Sequence, residues 1–260
     1  MICPRCQQEQ PGESLECGQC GVVFAKYRPR PLPMHTGADD AQDPAGWREY
    51  LGLFWQWLRE RMFEVEPGET RAFVVMRAGF LLILAAWGLS LLLKPIEGDA
   101  LGSSFMHLIN LPFHEAGHFV FSPFGRFIQV LGGTLGQLLV PLMVMGSFLA
   151  KRNAFGAAVG GWWLGQSFLD CAPYIYDARA GELMLIGGVT GKEMPDYHDW
   201  EVMLGRLGWM QHDHAIARLF WSAGALLMIA SLAWGAWLLW RQWRLPQAGR
   251  GTAAKVDGAT

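Results

Sequence analysis

Long apolar runs are the feature that most constrains how this chain can fold. They lie at residues 72–93, 101–123, 127–150, 154–176 and 216–240. About 20 apolar residues suffice for a helix to cross the hydrocarbon core of a bilayer. Only 17% of the residues are charged, against roughly 25% in soluble domains. We therefore expect an all-α polytopic membrane protein.

The basic residues favour about four full spans plus one broken or re-entrant segment. Run 127–150 contains several glycines and Pro141, and Lys151-Arg152 follows it. If this run is broken, the basic pair lies on the same side as the basic residues after 240, and the acidic stretch 177–215 lies on the other side. This arrangement agrees with the excess of Lys and Arg in cytoplasmic loops.

Two Cys-x-x-Cys pairs predict a small zinc ribbon over residues 1–27. The ligands are Cys3, Cys6, Cys17 and Cys20, because four thiolates complete tetrahedral zinc. Reduced thiols place this end in the cytosol, and we expect no cleavable signal peptide there. A closed site of this kind stabilises its module, so its expected role is to dock a cytosolic protein partner.

The residues between the ribbon and the first span form two further segments. Residues 28–46 are rich in Pro, Gly and Asp and predict a linker. Residues 47–71 predict a juxtamembrane segment whose helix, 47–63, has an aromatic stripe. That helix either packs on its own protein or lies in the membrane interface. The membrane domain then covers 72–244, and a flexible tail covers 245–260.

A His-Glu-x-x-His motif lies within the second apolar run. On a helix, His114 and His118 are one turn apart and can bind one metal ion, and Glu115 beside them can accept a proton from water. Asn110, one turn earlier, is a candidate to face the same site. His107 is two turns from His114, so we interpret it as a packing residue and not as a ligand.

A catalytic zinc ion needs a third protein ligand, and run 154–176 offers the preferred donor. Gln166, Asp170, Pro173 and Asp177 share one helix face. A carboxylate deep in an apolar run needs a partner, so Asp170 is the first choice, Asp177 the alternate and Gln166 a supporting residue. The pair His198-Asp199 and the cluster His212-Asp213-His214 come third, as solvated or capping residues.

These motifs together resemble the site-2 protease family of intramembrane zinc metalloproteases, and more closely its short, divergent bacterial branch. The resemblance implies a location in a bacterial inner membrane. The matching residues are His114-Glu115-Ala116-Gly117-His118, the segment Gly132-Gly133-Thr134-Leu135-Gly136, and Leu169-Asp170 in a later run. The resemblance implies zinc bound by His114, His118 and Asp170, with Glu115 as the base. In this family the aspartate is usually followed by glycine, whereas Cys171 stands here.

The expected function is hydrolysis of peptide bonds in membrane-associated protein substrates. The alternative is a non-catalytic membrane scaffold or sensor that docks a partner through the ribbon. A metal transporter is a weaker alternative, because the chain has no internal repeat. With a net charge of −2, the sequence has no basic patch for nucleic acid.

Overall fold

The computed structural model describes residues 1–3, 8–9, 11, 14–24, 47–65 and 69–245, in two compact units, Met1–Tyr50 and Leu51–Thr260. Cys6, the predicted linker 28–46 and residues 246–260 of the predicted tail lie outside the described residues. The described part is mostly helical. Its α-helices are α1 (Trp47–Phe63), α2 (Arg71–Leu92), α3 (Phe105–Phe121), α4 (Arg126–Ala150), α5 (Ala154–Tyr176), α6 (Asp199–Leu207) and α7 (Asp213–Arg244).

Three helical stretches of the described chain are long and apolar enough to cross a membrane, which fits a membrane protein. They are Arg71–Leu92, Arg126–Ala150 and Met210–Arg244. Helix α3, with 17 residues, is shorter. Helix α5 has the length of a span but contains several polar residues, and it lies in the interior with buried residues from Ala154 to Ile175.

Glycines allow the helices to approach each other closely. A Cβ atom on Gly117 of α3 would overlap the backbone carbonyl of Gly132 in α4. In the same way, a Cβ atom on Gly165 of α5 would lie 2.8 Å from the carbonyl oxygen of Gly224 in α7. Small residues at such contacts are typical of membrane helix interfaces.

The predicted break in run 127–150 is wrong, because α4 is one continuous helix of 25 residues with Pro141 inside it. The glycines of this run had suggested a broken backbone. In the structure Gly132, Gly133 and Gly136 form the surface against which α3 packs, so their role is close contact and not helix termination.

One end of the bundle, the basic end, brings together the starts of α2 and α5 and the ends of α4 and α7. Arg77 of α2 donates to the Gln242 side chain of α7 at 3.4 Å. Arg61 of α1 donates to the backbone carbonyl of Ala150 at 3.1 Å, and Arg152 pairs with Glu64. This end carries Arg71, Arg77, Lys151, Arg152, Arg241 and Arg244.

A cavity opens at the opposite end of the bundle, which we call the cavity end. It brings together the ends of α2 and α5 and the starts of α4 and α7. The Tyr176 hydroxyl donates to Glu97 at 2.8 Å, and Arg179 pairs with Asp213 at 3.2 Å. Arg126 at the start of α4 donates to the backbone carbonyl of Asp196 at 3.2 Å.

Helix α3 has both of its flanking segments at the cavity end. The loop before it contains Glu97, which contacts Tyr176, and the turn after it leads to Arg126, which contacts Asp196. Helix α3 therefore does not connect the two ends of the bundle. A full crossing at 101–123 was expected, but α3 is a continuous helix whose flanking segments both lie at the cavity end, whereas α4 is long and apolar enough to cross a membrane.

Helix α1 contacts the bundle through its last turn. The Trp234 ring nitrogen donates to the Met62 carbonyl at 3.0 Å, and the Phe63 ring meets Trp237 edge-on. None of its residues is buried, and Phe54 and Trp55 are more than half exposed. The exposed aromatic stripe favours the interfacial alternative over a helix packed on its own protein.

Candidate metal centre

Helix α3 carries the His-Glu-x-x-His motif on its inner side. It begins at the N-cap Ser104, whose hydroxyl accepts a hydrogen bond from the backbone N–H of His107. Pro112 lies inside the helix and does not end it. His114 and His118 are one turn apart, with ring centroids 4.8 Å from each other.

Each histidine has its Nδ1 atom fixed by an acceptor. His118 Nδ1 donates to the Gln129 carbonyl at 2.9 Å, and His114 Nδ1 donates to Gln137 Oε1 at 3.2 Å. With the proton on Nδ1, the Nε2 atom of each ring is left with a free lone pair. Metal-binding histidines are commonly oriented in this way.

The Nε2 atoms of both rings face the same carboxylate oxygen. Asp199 Oδ2 lies 3.0 Å from His114 Nε2 and 3.2 Å from His118 Nε2. Burial raises the pKa of the Asp199 carboxyl, but the two histidine rings, when they carry a proton on Nε2 and no metal is bound, outweigh burial and lower it from 3.8 to about 2. The carboxylate is therefore ionised at neutral pH.

Asp199 is held by the end of α5. It is the first residue of α6, after the N-cap His198, and its backbone N–H donates to the Tyr174 hydroxyl at 3.0 Å. That hydroxyl donates to Asp199 Oδ2 at 3.3 Å, and the Tyr174 ring packs on the His198 ring at a centroid distance of 4.1 Å. These contacts fix the carboxylate although it follows a long loop.

The donor spacing fits a metal ion. Two ligands bound at about 2.0 Å to tetrahedral zinc are about 3.3 Å apart, close to the 3.0 and 3.2 Å found here. His114, Glu115 and His118 also form a group whose ligand atoms lie within 4.8 Å of one another. Two imidazoles and a carboxylate form a donor set that zinc accepts.

Gly133 of α4 makes room for the two histidine rings. A Cβ atom at this position would lie 2.5 Å from His114 Nε2 and 2.5 Å from His118 Nε2. The absence of a side chain therefore lets both rings lie directly against the α4 backbone.

Asp170, the first choice for third ligand, lies beside this group and has other partners. Its Oδ2 atom accepts hydrogen bonds from Asn110 Nδ2 at 3.1 Å and from Gln137 Nε2 at 2.9 Å. His107 Nδ1 lies 3.1 Å from the same oxygen. Asn110 also donates to Gln166 at 2.9 Å, so both supporting candidates belong to this buried network.

The remaining candidates have structural partners. Asp177, the alternate ligand, accepts hydrogen bonds from the backbone N–H groups of Glu182 and Leu183 at 2.9 Å each. It thereby organises the turn after α5. Asp213 pairs with Arg179, and the His214 ring stacks on Tyr176 at a centroid distance of 3.7 Å.

A cavity of about 280 Å³ opens beside the two histidines. Glu115 is exposed and lines it, together with Arg126 of α4 and residues 183–186 of the loop after α5. The histidine pair is therefore accessible to water from the cavity end.

From the sequence alone, Asp199 ranked third, Tyr174 and Gln137 were not selected, and Gly133 was part of the family resemblance but had no role at the site. The signal for Gln137 was a polar amide within an apolar run, where an unpaired polar group is costly. Asp199 is 85 residues from His114, so no local spacing could link the two.

The N-terminal unit contains a second candidate metal site, which is a cysteine group. Cys3, Cys17 and Cys20 form a candidate metal cluster, with the sulfur atoms of Cys3 and Cys20 3.7 Å apart. Two thiolates on one zinc ion are about 3.8 Å apart. Gly21, with φ of +68°, donates its N–H to the Cys17 carbonyl at 2.8 Å and closes the turn.

Comparisons of the chain with protein-family models, with curated proteins and with solved structures give no match.

Proposed function

We propose that this protein is a membrane-embedded zinc metallopeptidase that hydrolyses peptide bonds of membrane-associated protein substrates. The observation that carries the proposal is the convergence of His114 Nε2, His118 Nε2 and Asp199 Oδ2 beside a cavity lined by Glu115. Two histidines and one carboxylate, with a position left open, are the ligand pattern of a catalytic zinc site. Asp199 thus replaces Asp170 as the proposed third ligand.

The chain's own residues divide the work of hydrolysis. Zinc held by His114, His118 and Asp199 would supply a Lewis acid that polarises a peptide carbonyl and makes water more acidic. Glu115 accepts the proton of the attacking water and delivers it to the leaving amine. Tyr174 and Gln137 touch the ligands and hold them in place.

We further propose that α2, α4, α5 and α7 cross a bacterial inner membrane, with the basic end in the cytosol. This assignment follows from the arginines and lysines gathered at that end. Because α2 begins there, the N-terminal cysteines are also cytosolic, where thiols stay reduced. The cavity then opens toward the opposite face of the membrane, and substrates are cleaved in that half of the bilayer.

The cysteine group is proposed to hold a second, structural zinc ion. Cys3, Cys17 and Cys20 would supply three of its ligands and Cys6 the fourth. Such a module folds on its metal and offers a docking surface for a cytosolic protein partner.

Substitution of Glu115 by Gln tests the catalytic proposal. The isosteric amide cannot accept the water proton, so cleavage should fall by at least a hundredfold. New protein N-termini can be compared by mass spectrometry in membranes from cells with wild-type or Glu115→Gln protein. Both proteins should bind two zinc ions, and Asp199→Ala should bind one, that of the ribbon.

The scaffold alternative predicts a different pattern, and the cysteine group is the observation that favours it. In that case the set of protein N-termini would not change with Glu115→Gln. Loss of the Cys3 and Cys17 thiols would instead abolish the docking of the cytosolic protein partner.

A further inference from the structure

We infer that Asp170 is a positioning residue that fixes the tautomer of His114 through the side chain of Gln137. This inference rests on the proposed zinc site. It gives Asp170 a role different from that of a direct ligand, which the sequence resemblance implied.

The connection runs through two hydrogen bonds. Gln137 Nε2 donates to Asp170 Oδ2 at 2.9 Å, and Gln137 Oε1 accepts from His114 Nδ1 at 3.2 Å. All three residues are buried side by side at the edge of the cavity. The carboxylate and the imidazole therefore contact opposite ends of one amide.

The two ends of the Gln137 amide differ, because the NH₂ group donates hydrogen bonds and the oxygen accepts them. The Asp170 Oδ2 atom accepts hydrogen bonds from its neighbours, so it faces the NH₂ end of Gln137. The oxygen end must then face His114, which places the imidazole proton on Nδ1 and leaves Nε2 free to bind metal. If the amide were reversed, its NH₂ group would face Nδ1 and move the proton to Nε2, where it would block the metal.

Asp170 is itself held in a fixed orientation. Asn110 Nδ2 donates to Oδ2 at 3.1 Å, and His107 Nδ1 lies 3.2 Å from Oδ1. Its side chain is 1% exposed. His107 thus serves as a partner of the buried carboxylate, which costs less to bury when it is paired.

The two histidines have the same orientation but different kinds of acceptor at Nδ1. His118 Nδ1 donates to the backbone carbonyl of Gln129, which can only accept. His114 faces an amide side chain that can turn either way. Only His114 therefore needs a further residue to select the orientation of its partner.

The test uses Asp170→Asn, Gln137→Met and the double variant in the full chain. Asparagine has nearly the same shape but can donate to Gln137, so the amide can reverse. Zinc affinity of the membrane site is measured by competition with a chelator. The ribbon zinc and the melting temperature report whether each variant is folded.

We expect each single variant to weaken membrane-site zinc binding by 10- to 100-fold, the range for partners of metal ligands. The double variant should lose no more than the worse single variant, because both changes act on one route. Asp213→Asn is the matched control, since this buried carboxylate at the start of α7 pairs with Arg179 and should leave the affinity unchanged.

A second readout follows the proton directly. Nitrogen NMR of ¹⁵N-histidine-labelled, metal-free protein should show His114 protonated at Nδ1 in the wild type and a mixture of tautomers in Asp170→Asn. Gln137→Met tests the same route without altering Asp170.

Three results would overturn the inference. The first is unchanged zinc affinity and tautomer in Asp170→Asn. The second is complete loss of membrane-site zinc in Asp170→Asn with tight binding in Gln137→Met, which would make Asp170 a direct ligand. The third is a double variant whose loss of zinc-binding free energy equals the sum of the losses in the two single variants. A wild-type protein that binds ribbon zinc alone but shows the Nδ1 tautomer would refute the peptidase proposal and leave the positioning role in place.

Discussion

Gly133 is the position at which even the smallest substitution, to alanine, should most disturb the candidate metal site. In Gly133→Ala the new methyl group would lie 2.5 Å from the Nε2 atoms of His114 and His118. Both rings would have to move away from Asp199. We expect loss of the membrane-site zinc and of any peptidase activity, measured as a fall from two zinc ions per chain to one.

The matched control is Gly146→Ala in the same helix. A Cβ atom there meets nothing within 4 Å. Alanine favours a helix over glycine by about 1 kcal/mol, so this variant should keep its zinc and be slightly more stable. If both variants retain two zinc ions, the histidine rings do not lie against α4 as described.

At the scale of single residues, the sequence supported the local part of the site and not the distant part. His114, Glu115 and His118 are neighbours on one helix, so their spacing alone predicts that they can act together. The carboxylate that meets them comes from α6, beyond a polar loop. Its position depends on Tyr174 and on the packing of the loop, which no residue pattern near Asp199 reveals.

At the scale of elements, the contact between α5 and α7 depends on glycine. In Gly165→Ala the new Cβ atom would lie 2.7 Å from the Met228 backbone nitrogen and 2.8 Å from the Gly224 oxygen. Backbone atoms cannot move aside as a flexible side chain can. We expect a loss of about 1–3 kcal/mol, the usual cost of overpacking, seen as a lower melting temperature in detergent.

Gly79→Ala in α2 separates this effect from helix propensity. A Cβ atom at Gly79 meets nothing within 4 Å, so this substitution should not lower the melting temperature. Equal melting temperatures for the Gly165 and Gly79 variants would contradict the close contact of α5 with α7.

The helices could be located from apolar runs, but the behaviour of individual runs could not. Glycine and proline in 127–150 are compatible both with a broken helix and with a continuous helix that packs closely. The choice depends on the neighbour, and here Gly117 of α3 packs against Gly132 of α4. Likewise, the length of an apolar run does not say whether its two ends reach opposite ends of the bundle. Both flanking segments of α3 lie at the cavity end.

At the scale of the whole molecule, the two ends of the bundle predict its orientation. In a chain whose own cysteines are replaced, a single cysteine is introduced at one of two exposed positions. These positions are Lys151 at the basic end and Lys192 in the loop after α5. The cells have a permeable outer membrane and an intact inner membrane. In these cells a membrane-impermeant maleimide should label Lys192→Cys. Lys151→Cys should react only after the inner membrane is permeabilised. The reverse pattern would contradict a cytosolic basic end.

The distance along the chain between the two halves of the proposed zinc site also has a consequence for biosynthesis. His114 and His118 are made early, whereas Asp199 is separated from His114 by 85 positions. While the ribosome is still adding α4 and α5, the nascent chain has two imidazoles but not the carboxylate that completes the set. The ligand set is thus completed only after the helices around it have been synthesised, and a chain truncated before α6 would be inert toward its neighbours in the membrane.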